Sequence, residues 1–470
     1  MTSSKQPVRN SGARLTKVVV AAGVALISTS ASAIELARVE GFGPVSRGFA
    51  GAGVAHAVGA GSMMLNPAEL LRLDSEHEAL VQLTQVHARI DIDNRATGET
   101  VRNAGLGNNR GPYHLPELAY AWRTGDWAFG TGVFAAGGFG IEYGTQSFLS
   151  RTTTNNVATG LPVNSRVAQL RIPFAVAFKP DSRWRLGASI DVVNASLNLA
   201  SLLDAQQVGL LIQSGRASGN LVPVLAAIPD LSGAHFEFVR NNALASELAA
   251  WGVAGRIGAS FQLSPQTSVA GAYEFKSALR NLKGRGQLTA IDKDNNHIRL
   301  EGDGSLPAFQ FPQAFVLGVS HRITPQMAVT ADLRRTLWGQ VLGDTVVDFR
   351  SDSGGTLSVS LPTGFNNLTT LAVGAEWQWQ SSWTLRAGAS HAFQPAVPSD
   401  HLSGTFPTFT RNHLSTGLSY RHREAHQFDL GLSYGFTDPV RNPGGNVNSI
   451  PAIEGRNRQI NPVIGYSYHF

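Results

Sequence analysis

Charged side chains recur at alternating positions of otherwise apolar segments, so that they would share one face of a β-strand. Arg171, Arg256 and Arg386 are the candidates for binding, because a guanidinium group pairs naturally with a carboxylate. The same face carries further charges of both signs: Asp191, Glu274, Asp332, Arg334, Glu376 and Asp429. Two interpretations stay open. The arginines bind the carboxylate of a ligand, or they pair with acidic residues across neighbouring strands.

A second candidate binding element is the stretch 198–251, which is dense in aliphatic residues. We single out six of them as substrate-binding candidates: Leu202, Leu203, Leu210, Leu211, Leu221 and Val222. An exposed loop of this composition would offer a landing surface for an apolar molecule. The alternative is a helical cap that packs on itself over the space below.

Catalytic patterns are missing from the sequence. We find no G-x-S-x-G nucleophile elbow and no pair of histidines at metal-ligand spacing, and the 13 histidines are scattered. We therefore predict that the chain is not an enzyme and needs no metal or cofactor. A hydrolase is the less favoured alternative.

Period-2 alternation dominates the rest of the chain, as in 371–380 and 427–436, where an apolar, aromatic face opposes a small or polar one. Fourteen such segments lie near 79–93, 113–123, 127–142, 165–178, 184–197, 252–263, 268–290, 296–322, 327–350, 367–380, 383–395, 410–422, 427–437 and 460–470. Short turns and long links alternate strictly between them. This combination predicts an all-β fold, a 14-stranded antiparallel transmembrane β-barrel over residues 77–470.

Tryptophans support the membrane interpretation, because they cluster at strand ends beside the short turns, where an interfacial girdle belongs. They are Trp122, Trp127, Trp184, Trp377, Trp379 and Trp383. The last strand ends on Phe470 with aromatic residues on one face, which resembles the assembly signal of bacterial outer-membrane barrels. We therefore expect outer-membrane lipid and the barrel-assembly machinery as partners.

The N-terminus has the three parts of an export signal: basic residues, the apolar run Val18–Ile27 and the small-residue site Ala31–Ala33. We predict a signal peptide at 1–33. Its removal takes four basic residues from a formal charge of +5, so the mature charge is 5 − 4 = +1 and nucleic acid is not an expected partner. The absence of cysteine excludes a disulfide framework.

The remaining segment, 34–76, is rich in glycine and cannot bury enough side-chain surface to fold alone. A barrel of fourteen strands has a lumen too wide for side chains to fill. We therefore predict that this segment is an N-terminal lumenal hatch, or plug. The hatch residues that we single out are Gly51, Gly53, Asn66, Pro67 and Ala68.

With these pieces in order, the chain resembles the FadL family of outer-membrane long-chain fatty-acid transporters, which includes carriers of aromatic hydrocarbons. The resemblance rests on 48–53 and 66–68 in the plug, on 116–143 and on 312–338. It also includes 173–187, 252–273 with Gly284, 385–388 and the final strand. It covers nearly all of the mature chain.

The resemblance implies a monomer that captures hydrophobic molecules with its outer loops, binds them in the lumen and releases them sideways through a kink in the third strand. The matching residues here are Gly137, Gly138, Phe139 and Gly140, and glycines in a strand are independent grounds for a bulge. The link 292–297 is short and polar, so an apolar groove between two loops is in doubt. A general diffusion porin is the stronger rival function.

Overall fold

The computed structural model describes residues 38–103, 111–240, 246–406 and 409–470. The predicted signal peptide at 1–33 and the first residues of the predicted hatch, 34–37, lie outside these ranges. Among the described residues, no helix is both long enough and apolar enough to cross a membrane.

Strands make up most of the chain. In order they are β1 (His77–Asn94), β2 (Thr100–Asn103), β3 (Tyr113–Thr124), β4 (Trp127–Glu142), β5 (Asn164–Phe178), β6 (Trp184–Asp204), β7 (Ala217–Ser218), β8 (Leu231–Phe238), β9 (Leu248–Ser264), β10 (Thr267–Glu274), β11 (Ala278–Leu279) and β12 (Leu282–Asp292). They continue with β13 (His297–Leu306), β14 (Ala314–Thr324), β15 (Met327–Thr336), β16 (Thr345–Ser351), β17 (Thr356–Leu361), β18 (Leu368–Gln380), β19 (Trp383–Ala392), β20 (Asn412–His422), β21 (His426–Phe436), β22 (Val440–Asn442) and β23 (Ile453–His469).

The α-helices are α1 (Gly43–Gly48), α2 (Ala205–Gln213) and α3 (Leu221–Ala226). Short 3-10 helices are Gly59–Met64, Pro67–Arg72, Phe148–Ser150, Thr154–Asn156, Trp338–Gln340 and Ser399–His401.

The long strands pair into a closed ring, always antiparallel. The ring runs β1, β3, β4, β5, β6, β9, β10, β14, β15, β18, β19, β20, β21 and β23, and β23 returns to β1. Because the ring closes, no strand lies at an outer edge of the sheet, as a wall in lipid requires. The predicted closed, antiparallel all-β barrel is confirmed.

Three of the predicted alternating segments are wrong as continuous strands. The segment 268–290 breaks after Glu274, 296–322 breaks between β13 and β14, and 327–350 breaks after Thr336. The second break contains Pro307 and Pro312, which cannot donate to a ladder. Within this break, the side chain of Gln310 exchanges hydrogen bonds with the backbone of Leu279 at 2.8 and 3.0 Å and so replaces the ladder locally.

The two faces of the wall differ as the alternation predicts. Outward side chains such as Ile190 and Leu317 are each 68% exposed, whereas their inward neighbours, Asp191 for example, are buried. Near the short turns, aromatic rings stack in series from Trp122 over Phe129 to Trp127, and Trp127 contacts Phe178. An apolar outer band that ends in an aromatic girdle is typical of a barrel in a bilayer.

The described N-terminal segment, 38–73, is buried inside the ring. Helix α1 contacts β1, β19, β20, β21 and β23, and the two following 3-10 helices contact β1, β3, β4, β5, β6 and β9. Its side chains Phe42, Phe49, Met63, Met64 and Leu70 are fully buried. The segment therefore occupies the lumen and touches the wall on opposite sides.

Candidate functional site

Strand β4 loses one of its neighbours half-way along its length. β3 pairs with β4 from Thr124 opposite Trp127 to Glu117 opposite Phe134, whereas β5 stays paired with β4 up to Glu142. Within the described ranges, the β4 edge from 135 to 142 therefore has no strand partner on the β3 side. We call this interruption of the wall the notch.

A β-bulge lies at the base of the notch. The register shifts between Ala135 and Gly137, and the carbonyl of Ala136 accepts a hydrogen bond from the backbone N–H of Val39 at 3.3 Å. Gly138 has φ +153°, and a Cβ there would lie 2.4 Å from the carbonyl oxygen of Val167. A Cβ on Gly140 would lie 2.3 Å from the hydroxyl of Tyr113. Gly137, Gly138 and Gly140 thus lie at or just above a bulge, and their function as a gate stays a prediction.

Phe139 points from this strand into the barrel. Its ring centroid lies 5.2 Å from that of Phe409 and 6.3 Å from that of Phe406, and Phe365 lies within 6.2 Å of both. We call these four residues the phenylalanine cluster. The cluster joins the notch to an apolar core on the long-link side of the barrel, which we call the apolar interior. Further rings are buried there: Phe236, Phe238, Phe309, Phe311, Trp338 and Phe349.

The aliphatic stretch predicted as an exposed landing surface is mostly folded inward. Leu203, Leu211 and Leu221 are buried in the apolar interior, and Leu202, Leu210 and Val222 are half-buried. Helix α2 begins at a complete capping box, in which Asp204 accepts from the N–H of Gln206 at 2.8 Å. The expectation of an exposed loop is therefore wrong for these residues, because helices and strands formed by 198–238 pack their apolar sides over the lumen.

Four arginines and two acidic residues form the floor of the apolar interior. Arg171 contacts Glu274 at 2.7 Å and Asp191 at 3.2 Å. Arg256 contacts the same two carboxylates at 3.4 and 3.8 Å, and Arg38 and Arg334 reach Glu274 at 2.9 and 3.8 Å. Within this group four guanidinium groups surround two carboxylates, and we call the group the basic floor. Arg171 faces Phe134 across the β4–β5 pair, so the basic floor lies level with the base of the notch.

Arg386 lies elsewhere. It contacts Glu376 at 3.3 Å and lines a polar cavity of about 570 Å³ on the short-turn side of the N-terminal segment. The structure therefore brings Arg171 and Arg256 together but not Arg386. All three arginines have acidic partners within the chain, which agrees with the pairing interpretation.

Buried carboxylates of the wall hold the backbone of the N-terminal segment. Asp332 accepts from the N–H groups of Gly53 and Val54 at 2.8 and 2.9 Å. Glu117 accepts from the N–H of Gly43 at 2.8 Å, and Glu78 accepts from that of Ala60 at 2.9 Å. These are charge-assisted hydrogen bonds away from water, which are the stronger kind.

The predicted hatch residues make close contacts that only small neighbours permit. Gly51 has φ +96°, and a Cβ there would lie 1.7 Å from the carbonyl oxygen of Glu40. Asn66 caps the 3-10 helix that begins at Pro67 by accepting from the N–H of Ala68 at 3.1 Å. Wall glycines make the room: a Cβ on Gly258 would lie 2.0 Å from Oδ1 of Asn66, and one on Gly187 would lie 2.4 Å from the nitrogen of Ala68.

Sequence reasoning missed Glu78 and Glu117, whose acidic side chains are buried within strands. It singled out Phe139 but missed the other members of the phenylalanine cluster, Phe365, Phe406 and Phe409. For the two carboxylates, the available signal was the rarity of a buried acidic residue on an inward strand face. The described residues contain no group of three or more His, Cys, Asp or Glu side chains that could hold a metal ion.

The comparisons with known proteins agree with this architecture. A family model described as outer membrane protein transport protein (OMPP1/FadL/TodX) matches residues 22–458. The chain belongs to this family. It is an outer-membrane transport protein of a Gram-negative bacterium, and the predicted resemblance is confirmed.

Two relatives of this family member differ in the substrate that their names carry. The long-chain fatty acid transport protein of Escherichia coli O6:H1 is 25% identical over 432 residues, which cover 89% of this chain and 90% of that one. The Pseudomonas putida toluene transporter TodX is 31% identical with a TM-score of 0.81, over 92% of this chain and 99% of that one.

The Ralstonia pickettii toluene transporter TbuX is 35% identical to this family member, with a TM-score of 0.76 over 92% of this chain and 99% of that one. Members of the family are transporters rather than enzymes, which fits the missing catalytic patterns.

Proposed function

We propose that the protein takes up hydrophobic molecules passively and releases them sideways, through the notch, into the outer membrane. The observation that carries this proposal is the loss of β3–β4 pairing above Phe134, directly beside the phenylalanine cluster. An apolar molecule gains about 0.8 kcal/mol for each buried methylene. A molecule that leaves by an apolar route into lipid keeps this burial free energy, whereas a molecule that passes through the polar cavity on the short-turn side would lose it.

We further propose the division of the chain into a cleaved signal peptide at 1–33, a hatch at 34–76 and a transmembrane wall at 77–470. The ring of strand pairings supports fourteen wall strands, with the shorter strands as extensions beyond the bilayer. We also propose that the protein acts as a monomer, because its ring of strands closes within one chain. A general diffusion porin would show a large, steady current in planar bilayers. Such a current would refute the proposal that the hatch closes the lumen.

Substrate capture would begin at the outer links and lead into the apolar interior. Leu203, Leu211 and Leu221 would then line the path from within, while Leu202, Leu210 and Val222 would guide the molecule from the half-exposed side. The basic floor, with Arg171 and Arg256, supports binding of a fatty-acid carboxylate. The phenylalanine cluster supports binding of an aromatic hydrocarbon. We propose that both classes fit, because the two features adjoin the same notch.

Deletion of Ala136 tests the lateral route. It removes the extra residue of the bulge, so that β4 can stay in register with β5 and continue along β3. We expect uptake of a radiolabelled fatty acid or toluene by deletion-strain cells to fall at least about tenfold, which corresponds to about 1.4 kcal/mol in the barrier.

Two controls accompany the deletion. Val133→Ala removes an outward side chain of the same strand and keeps the bulge, so its uptake should match the parent. Heat-modifiable gel mobility checks that both proteins assemble. Parental uptake by a correctly assembled deletion variant would refute the lateral route.

A further inference from the structure

A concave polar surface lies outside the barrel, on the sheet that extends the wall upward on the long-link side. Strands β6, β9, β12, β13, β16, β17 and β7 pair in this order to form it. The surface encloses a cavity of about 1130 Å³. Polar and charged side chains contribute about half of its lining, among them Asn194, Arg240, Lys283, Arg285, Arg350 and Ser358.

This surface is separate from the transport path. The same strands bury Phe238, Phe349 and Leu357 on their inner face, against the apolar interior. Alternation then turns Lys283 and Arg350 outward, where both side chains are exposed. A ligand on the outer face would have no direct contact with the lumen.

The surface begins where the lipid-facing band ends. On β9, Val253 and Trp251 point outward and are 51% and 54% exposed, and tryptophan is enriched at membrane interfaces. The next outward residue, Ala249, pairs with Lys283 of the cavity. The long links mark this end of a bacterial barrel as the external one. The cavity therefore lies at the level of the head groups of the outer leaflet.

The acidic groups of the cavity have hydrogen-bond or ion-pair partners within the chain. Glu247 accepts from Arg240 at 3.1 Å and from the backbone N–H of Arg285 at 2.9 Å. The carboxylate of Asp303 pairs with Arg285 at 3.0 Å, and Asp348 accepts from the hydroxyl of Ser358 at 2.7 Å.

Lys283 and Arg350, by contrast, have no side-chain hydrogen bond or ion pair with any described residue. Strand β13 joins their strands. In the strand register, Ser305 lies opposite both Lys283 and Asp348, and Asp303 lies opposite Arg350. Among the described residues, two exposed cations thus remain without a partner in one cavity whose acidic groups are already engaged.

We propose that this cavity binds the phosphorylated sugar head group of an outer-leaflet glycolipid. Lys283 and Arg350 would contact phosphate, as cations at a lipid surface do, and the amide and hydroxyl side chains would contact sugar hydroxyls. The position beside the lipid-facing band selects a membrane lipid over a soluble anion. The volume suits a sugar head group rather than a single phosphate. Such a lipid would hold the outer sheet against the membrane.

Binding of purified lipopolysaccharide to the full chain in nanodiscs tests this proposal. The variant Lys283→Gln/Arg350→Gln should bind about twenty-five-fold more weakly, at about fivefold for each basic side chain near an anionic lipid surface. The charge-conserving variant Lys283→Arg/Arg350→Lys should bind like the parent. If the double glutamine variant does not assemble, each single variant should still show the fivefold loss.

The matched control is Lys179→Gln/Arg183→Gln, which removes two cations at the short-turn rim and should leave glycolipid binding unchanged. Phosphatidylethanolamine and inorganic phosphate are the competing probes, and both should bind at least about tenfold more weakly than the glycolipid. Equal binding of either probe would overturn the proposal, as would parental affinity in the double glutamine variant. Uptake of hydrophobic substrate should be unaffected in every variant.

Discussion

Replacing Asp332 by alanine should release the centre of the hatch from the wall. The carboxylate holds the N–H groups of Gly53 and Val54 at 2.8 and 2.9 Å in a buried position. A hydrogen bond to a charged group contributes about 1.5–3 kcal/mol, so the loss of two amounts to at least about 3 kcal/mol. Since about 1.4 kcal/mol is a factor of ten, local opening should become at least about a hundredfold more frequent.

Hydrogen exchange with mass spectrometry measures this opening directly, in the peptide that spans 49–58. The control is Asp429→Ala, because the carboxylate of Asp429 is held by the wall side chains Ser419 and Gln427 and by no N–H of the described hatch residues. The Asp429→Ala variant should show the parental exchange rate in this peptide. The exchange rate of Asp332→Asn, which retains one acceptor oxygen, should lie between those of Asp332→Ala and the parent. Parental exchange in Asp332→Ala would refute the idea that this carboxylate anchors the hatch.

Two further predictions separate the parts of the proposed site. Arg171→Gln should weaken binding of a long-chain fatty acid about tenfold and leave toluene binding unchanged, as measured by calorimetry in detergent, because only the fatty acid presents an anion. Arg386→Gln is the control, and an equal loss for both ligands would contradict a head-group role for the basic floor. Phe139→Ala should weaken toluene binding about fivefold relative to Phe139→Leu, because a ring contact contributes about 1 kcal/mol. Equal affinities would exclude the phenylalanine cluster from the path.

The barrel could be predicted because its signals are local. Period-2 alternation, turn length and tryptophan placement are read within ten residues of the chain, and they predict a closed wall with an apolar outer face. The breaks near Gln310 were missed because a side chain replaces backbone pairing there, and that replacement requires a neighbouring strand to be in place.

Features that depend on distant residues could not be predicted in the same way. The aliphatic residues of 198–238 suit an exposed loop and a buried cap equally well, and only packing decides which one forms. Likewise Arg171 and Arg386 lie on the predicted inner face, but the hatch divides the lumen between them. The sequence contains the charges, while the fold decides which of them share a compartment.

A comparison of two routes out of the lumen favours the notch over movement of the whole hatch. Displacing the hatch would break the four hydrogen bonds that Asp332, Glu117 and Glu78 accept from its backbone, at about 1.5–3 kcal/mol for each bond. The sum of about 6–12 kcal/mol would leave the open form in at most about one molecule in twenty thousand. At the notch the described residues leave β4 unpaired on the β3 side, and the ring of Tyr113 lies against Gly140. A side-chain rotation is far cheaper than the loss of three buried anchors, so an apolar substrate should leave through the wall while the hatch stays bound.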